Sequence, residues 1–205
     1  MELVNNKIIS DKIINKLDMF VIKFVNILEK YTSYVIVSGY VSIVLGRSRA
    51  TEDVDLLFPK INLSIFKLLF NELLEKGYEC ANTSNIQEAL EMLNSHAIRF
   101  FEKGYPIPNI EFKQINNDIQ RYSFENKISL SLKEKTLFIS PLEVQIAYKL
   151  SLMSDEDIDE ISSDKDFEDA KHIYLTFKEK LDIKKLIYFI KLLKVESKWE
   201  LLKNG

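Results

Sequence analysis

The 205-residue chain is poor in the residues that usually mark stapled, fibrous or metal-bound small proteins: one cysteine, two histidines, five glycines and four prolines. A lone Cys80 excludes an intramolecular disulfide. With only His96 and His172 beside it, far apart in sequence, there is no Cys/His cluster of zinc type. Scarce Gly and Pro leave little linker or low-complexity material, and no internal repeat is visible. The charged N-terminal stretch MELVNNKIISDKIINKLDMFVIKFVNILEK falls well short of the roughly 20 apolar residues that span a bilayer. It also lacks the apolar core and cleavage site of a signal peptide, so the expectation is a soluble, cytoplasmic protein without a membrane partner. Excess positive charge is missing too: the net charge is −3, which argues against a protein that coats itself in nucleic acid.

What is present is ordinary globular composition, 46% hydrophobic and 29% charged, enough for one large domain or a domain with a helical annex. Apolar residues recur at helical spacing from about Ser10 to Glu29. A short β-branched run, YVIVSG, reads as a buried strand, and YVSIVLG as a brief helix ended by Gly46. DVDLLF is a second strand stopped by Pro59, and the helix LSIFKLLFNELLEKGYE takes Ser64 as N-cap and Gly77 beyond its C-terminus. SNIQEALEMLN is helical; HAIRFF and NIEFKQI pair around EKGYPIP, and KISLSLK and KTLFIS add short strands. From Ser140 on the chain reads as helical. The expected class is therefore α/β (α+β): a mixed-sheet core over 1–137 and a C-terminal helical region, 138–205, packed on it.

Asp53 and Asp55 are one residue apart in an apolar strand, so both side chains point the same way. Two adjacent carboxylates repel, and partial burial raises the cost, which calls for a compensating cation. An exposed edge strand is the alternative. Upstream, Ser38-Gly39 stands at the mouth of a helix, where small residues let a phosphate approach the first N–H groups. Later, SPLEVQIAYKLSLM carries Ser140, Pro141 and Glu143 in capping-box order. In that frame Lys149 falls within the apolar stripe of Leu142, Ile146, Leu150 and Met153, where it needs an anionic partner or else snorkels to solvent. Asp166 lies on the inner face of the next helix, in the first turn, where acids are favoured in any case.

The segment SGYVSIVLGRSRATEDVDLL resembles the nucleotidyltransferase superfamily related to DNA polymerase β, and within it the minimal nucleotidyltransferases and the AbiEii-type toxin branch. The matching positions are Ser38, Gly39, Arg49, Thr51, Asp53 and Asp55, with Ser38 where the family has a first glycine. The resemblance extends to a helical lysine, Lys149, and to the Lys165-Asp166 pair opening the next helix, followed by Asp169. It implies that Asp53 and Asp55 bind two divalent ions, Mg²⁺ or Mn²⁺, with a third acid at Glu111 or, failing that, Asp118. Ser38 and Gly39 would cradle phosphate and Lys149 would contact it, while Asp166 completes the site or holds Lys149. Arg49 either binds phosphate or pairs with Asp53 or Asp55, and Thr51 either contacts the nucleotide or is a loop hydrogen-bonder. Asp169 reads as surface.

The implied reaction moves a nucleoside monophosphate from an NTP to a hydroxyl, on the 3′ end of tRNA or on a protein side chain, in a toxin–antitoxin setting. The rivals are a non-catalytic nucleotide-binding module of the same fold and an antitoxin acting on a neighbouring toxin. From Asp155 to Asp169 there are nine acids and one lysine, then nine lysines and four acids from Lys171 to Gly205. That asymmetry reads as a solvated acidic loop, without the Gly and Glu of a calcium loop, followed by one basic C-terminal helix, FKEKLDIKKLIYFIKLLKVESKW, that packs its apolar face on the domain or meets RNA or a membrane surface.

Overall fold

The computed structural model describes residues 1–153 and 164–204. The acidic loop from Asp155 to the residue before Asp164 lies outside those described residues. A nine-stranded mixed sheet organises the chain, and its first two strands are a hairpin, β1 (Glu2–Val4) and β2 (Lys7–Ser10). Asn5 and Asn6, both with positive φ, make its two-residue turn, a conformation asparagine tolerates well. The helical periodicity from Ser10 is thus interrupted at its start. Ser10 pairs with Leu132, Ile13 is exposed, and α1 (Lys16–Leu28) begins where Asn15 and Asp18 close a reciprocal capping box.

The chain continues through β3 (Val35–Val37), α2 (Gly39–Val44), β4 (Asp53–Phe58) and α3 (Leu63–Glu75). Asn62 rather than Ser64 caps α3, because its side chain reaches the Ile65 N–H at 2.9 Å. Next come β5 (Tyr78–Cys80), α4 (Ile86–Met92), β6 (Ile98–Glu102), β7 (Tyr105–Gln114), α5 (Asp118–Glu125), β8 (Ile128–Leu132) and β9 (Lys135–Ile139). Four helices follow: α6 (Leu142–Leu152), α7 (Lys165–Phe177), α8 (Ile183–Leu192) and α9 (Glu196–Asn204). The basic C-terminal stretch is therefore broken rather than one helix. Asp182 caps α8 at its start, and Lys194, at positive φ, turns the chain before α9.

The strand order is β1-β2-β8-β9-β3-β4-β7-β6-β5. At its centre β4 runs antiparallel to β3 and parallel to β7, with Asp55 beside Val37 on one side and Glu111 on the other. One face of the centre is core: Val54, Leu56, Phe58, Ile110, Phe112 and Phe100 are fully buried. Phe58 and Phe112 stack at 3.7 Å, and Phe24 of α1 and Phe70 of α3 close over Phe100. Alternation sends the residues between them, Asp53, Asp55, Glu111 and Lys113, to the opposite face.

Candidate functional site

The opposite face opens into a cleft of about 550 Å³ between the sheet, α5, the start of α6 and the end of α8. Val37, Ser38, Asp55, Leu57 and Lys113 form its floor; Tyr148, Val144, Ile119 and Leu193 form much of its apolar wall. Asp118, the fallback third acid, also lines this cleft from the first turn of α5. Glu111 is the direct neighbour of Asp55 in the sheet register and is 8% exposed.

The acids are already partly neutralised. Lys113 Nζ lies 2.6 Å from Asp55 Oδ1 and 2.6 Å from Glu111 Oε2, and Arg99, opposite Glu111 on β6, also pairs with Glu111. Burial pushes the Asp55 carboxyl above its ordinary value; Lys113 opposes that shift and Glu111 adds to it. For Glu111 burial pulls upward too, but the hydrogen bond and charge of Lys113, then those of Arg99, hold it below the usual range. Burial disfavours the Lys113 ammonium, yet Asp55 and Glu111 outweigh it and raise its pKa. Asp53 makes no ion pair among the described residues.

All donors in this row are carboxylate oxygens, the chemistry that suits Mg²⁺ or Mn²⁺. Among the described residues, however, no group of three His, Cys, Asp or Glu side chains is placed to hold an ion. Asp53 and Asp55 offer two donors on one face; Glu111 is turned to its two cations. The residues therefore suit one ion on the aspartate pair and not, in this arrangement, a three-carboxylate cage.

Ser38 joins β3 to α2 with φ +63° and ψ −136°, a region that glycine occupies far more readily than residues with a Cβ. Its backbone is held on both sides by Gln145: the Ser38 N–H donates to Oε1 at 3.2 Å, and Nε2 donates to the Ser38 carbonyl at 2.6 Å. Ser140 Oγ donates to the same Oε1 at 2.9 Å. The capping box expected at Ser140 consequently does not form. Its hydroxyl is spent on Gln145, its N–H reaches Ile36 O, the N-cap of α6 is Pro141, and Glu143 accepts from the Asp182 N–H. Gly39 opens α2 with no room for a Cβ, which would collide with the Arg49 guanidinium folded against it.

Arg49 pairs with neither Asp53 nor Asp55. It makes a bidentate pair with Asp169, donating from Nε at 3.1 Å and Nη2 at 2.9 Å. Asp169 is no surface residue: it is fully buried and also receives Arg47 and, at 2.8 Å, Lys149. Lys149 is 2% exposed and reaches Asp166 at 2.6 Å, so it neither snorkels nor faces the cleft, being held by two carboxylates of α7. Three cations against two acids ties the loop before β4 to α6 and α7. Thr51 Oγ1 donates to the Asp53 carbonyl at 2.9 Å and shapes the end of that loop. His172 meets the Leu45 carbonyl at 3.0 Å, a structural contact.

The structure thus brings Ser38, Asp55 and Asp118 to one cleft, with Asp53 and Glu111 on the same face of the sheet. Lys149, Asp166 and Arg49 belong to a separate buried cluster. Reading by motif missed Lys113, Gln145, Arg47 and the burial of Asp169. Lys113 had a signal, since alternation in IEFK puts it on the face of Glu111.

No protein-family model matches the sequence, and no curated protein sequence matches it. Solved structures do. An antigenic nucleotidyltransferase-like protein from Paracoccidioides brasiliensis aligns with a TM-score of 0.53 at 14% identity, over 90% of this chain and 90% of that one. ANT(2″)-Ia in complex with adenylyl-2″-tobramycin aligns with a TM-score of 0.51 at 10% identity, over 89% of this chain and 99% of that one. No helix among the described residues is long and apolar enough to cross a membrane. At these identities the likeness is one of fold, and the fold is nucleotidyltransferase-like: a mixed α/β sheet flanked by helices.

Proposed function

We propose that the chain is a nucleotidyltransferase that moves a nucleoside monophosphate from an NTP to a hydroxyl acceptor, releasing pyrophosphate. One observation carries this reading: the strained Ser38-Gly39 turn and the acid row of Asp53, Asp55 and Glu111 lie side by side on the sheet, and Ser38 and Asp55 of them line a cleft of about 550 Å³. That volume is in the usual range for a small-molecule site. The turn at the N-terminus of α2 offers backbone N–H groups to a phosphate, while Gln145 fixes its orientation. Asp53 and Asp55 would hold a Mg²⁺ or Mn²⁺ ion, which when bound offsets triphosphate charge during in-line attack. Of the two aspartates, Asp55 is the one that lines the cleft. Tyr148, Val144, Ile119 and Leu193 supply apolar surface for a base or a small acceptor.

Lys149 and Asp166 take a positioning role in this reading. With Asp169 and Arg49 they anchor the loop that leads into β4, and so set where Asp53 and Asp55 point. The acceptor is a hydroxyl on a small molecule, on a protein side chain as in a toxin–antitoxin pair, or at the 3′ end of tRNA. The test offers each α-labelled NTP with Mg²⁺ or Mn²⁺ to three acceptor pools: tobramycin, total tRNA and cell-lysate protein. Label moving to one pool with wild-type protein and not with Asp55→Asn supports the reading and identifies the acceptor class. No transfer to any pool refutes it. The second reading, a non-catalytic nucleotide-binding module, is favoured by Lys113 bridging Asp55 and Glu111. It predicts NTP binding without turnover.

A further inference from the structure

We infer that Lys113 is a tethered cation holding the place between β4 and β7 where a divalent ion would otherwise bridge Asp55 and Glu111, so that the protein keeps a single metal position, on Asp53 and Asp55. The inference rests on the transferase reading only in assigning those aspartates to a metal. Strand alternation fixes the arrangement: Asp55 and Glu111 are register partners, and Lys113, two residues on, shares their face. Its ammonium sits between the two carboxylates at 2.6 Å from each, as a bridging ion does with shorter bonds. Glu111 has a further partner in Arg99, so both strands of the row are charge-compensated by the chain itself.

Lys113 is not a solvated surface group that happens to pass by. Its side chain is 33% exposed and lines the cleft floor beside Asp55. Asp53, the next residue on the face, is left without a cationic partner among the described residues. A site with one tethered and one free cation holds the acid row together without ions from solution.

Counting Mn²⁺ by electron paramagnetic resonance on the purified, nucleotide-free protein tests this without reference to turnover. Wild type is expected to bind one Mn²⁺, and no binding at all would overturn the single position. Lys113→Gln should gain a second ion, or bind the first about tenfold more tightly, because one positive charge close to the ion is removed. Lys113→Arg, which keeps the charge, should behave as wild type. Two Mn²⁺ ions on wild-type protein would overturn the inference even if Lys113→Gln failed to fold. So would unchanged binding in Lys113→Gln, or an equal gain in Arg99→Gln, which would point to general charge rather than the tether. Failure of label transfer to every acceptor would refute the proposed reaction and leave this ion count untouched.

Discussion

Ser38→Gly should make the protein more stable. Ser38 holds φ +63° and ψ −136° at the β3–α2 junction, where its side chain makes no capping hydrogen bond. A residue with a Cβ held in such a region costs on the order of 1–3 kcal/mol. Glycine removes that strain but frees the unfolded chain, which gives back about 0.4–1 kcal/mol. The difference is a net gain of about 1 kcal/mol, and for a chain of this size that is roughly 2–4 °C in Tm. Both Gln145 contacts are to the Ser38 backbone and survive the change. Urea and thermal unfolding of the two proteins, side by side, measure it. A Tm that stays the same or falls would refute the reasoning: the turn would then not be strained, or the serine hydroxyl would be holding something in place.

Other expectations follow from the same contacts. Gln145→Ala leaves the Ser38 N–H, the Ser38 carbonyl and Ser140 Oγ without their partner, and should cost about 2–3 kcal/mol in urea unfolding. Asp169→Ala leaves Arg47 and Arg49 without their carboxylate and Lys149 with Asp166 alone, and should cost about 3–5 kcal/mol, against about 1 kcal/mol for the N-cap change Asp164→Ala on the same helix. Glu72, which accepts from Lys30 and Tyr31, has its carboxyl held below the ordinary value. A depressed carboxylate stabilises above its unfolded pKa and loses that contribution as pH falls through the folded one. Stability of wild type should therefore drop more than that of Glu72→Gln between about pH 6 and pH 3, and equal drops would contradict the pairing.

Much of the candidate site could be read in the sequence because its signals are local. Alternation alone puts Asp53 and Asp55 on one face, and a lysine inside the apolar stripe of α6 requires the acids that Asp166 and Asp169 supply. What sequence reading got wrong were choices between local partners that tertiary contacts decided. Ser140 had a cap to make and made a bond to Gln145 instead, because its backbone still belongs beside β3. Arg49 stood near two aspartates in sequence and went to a third, 120 positions away, that lies on α7. The hairpin of β1 and β2 carries only the Asn5-Asn6 pair as a local mark, and its strands are stabilised by β8, a distant partner. The helix α5 was missed because its segment, DIQRYSFE, is mostly polar and starts on the Asn117 cap rather than on an apolar run.

The most direct test of the account is a count of pyrophosphate released per label transferred, with wild type and Asp55→Asn compared at equal folded fraction. Nucleotidyl transfer at the cleft predicts one pyrophosphate for each labelled acceptor, and a loss of about a hundredfold or more when Asp55 can no longer carry charge. Equal release by the two proteins would contradict the account, because the chemistry would then lie somewhere other than the acid row.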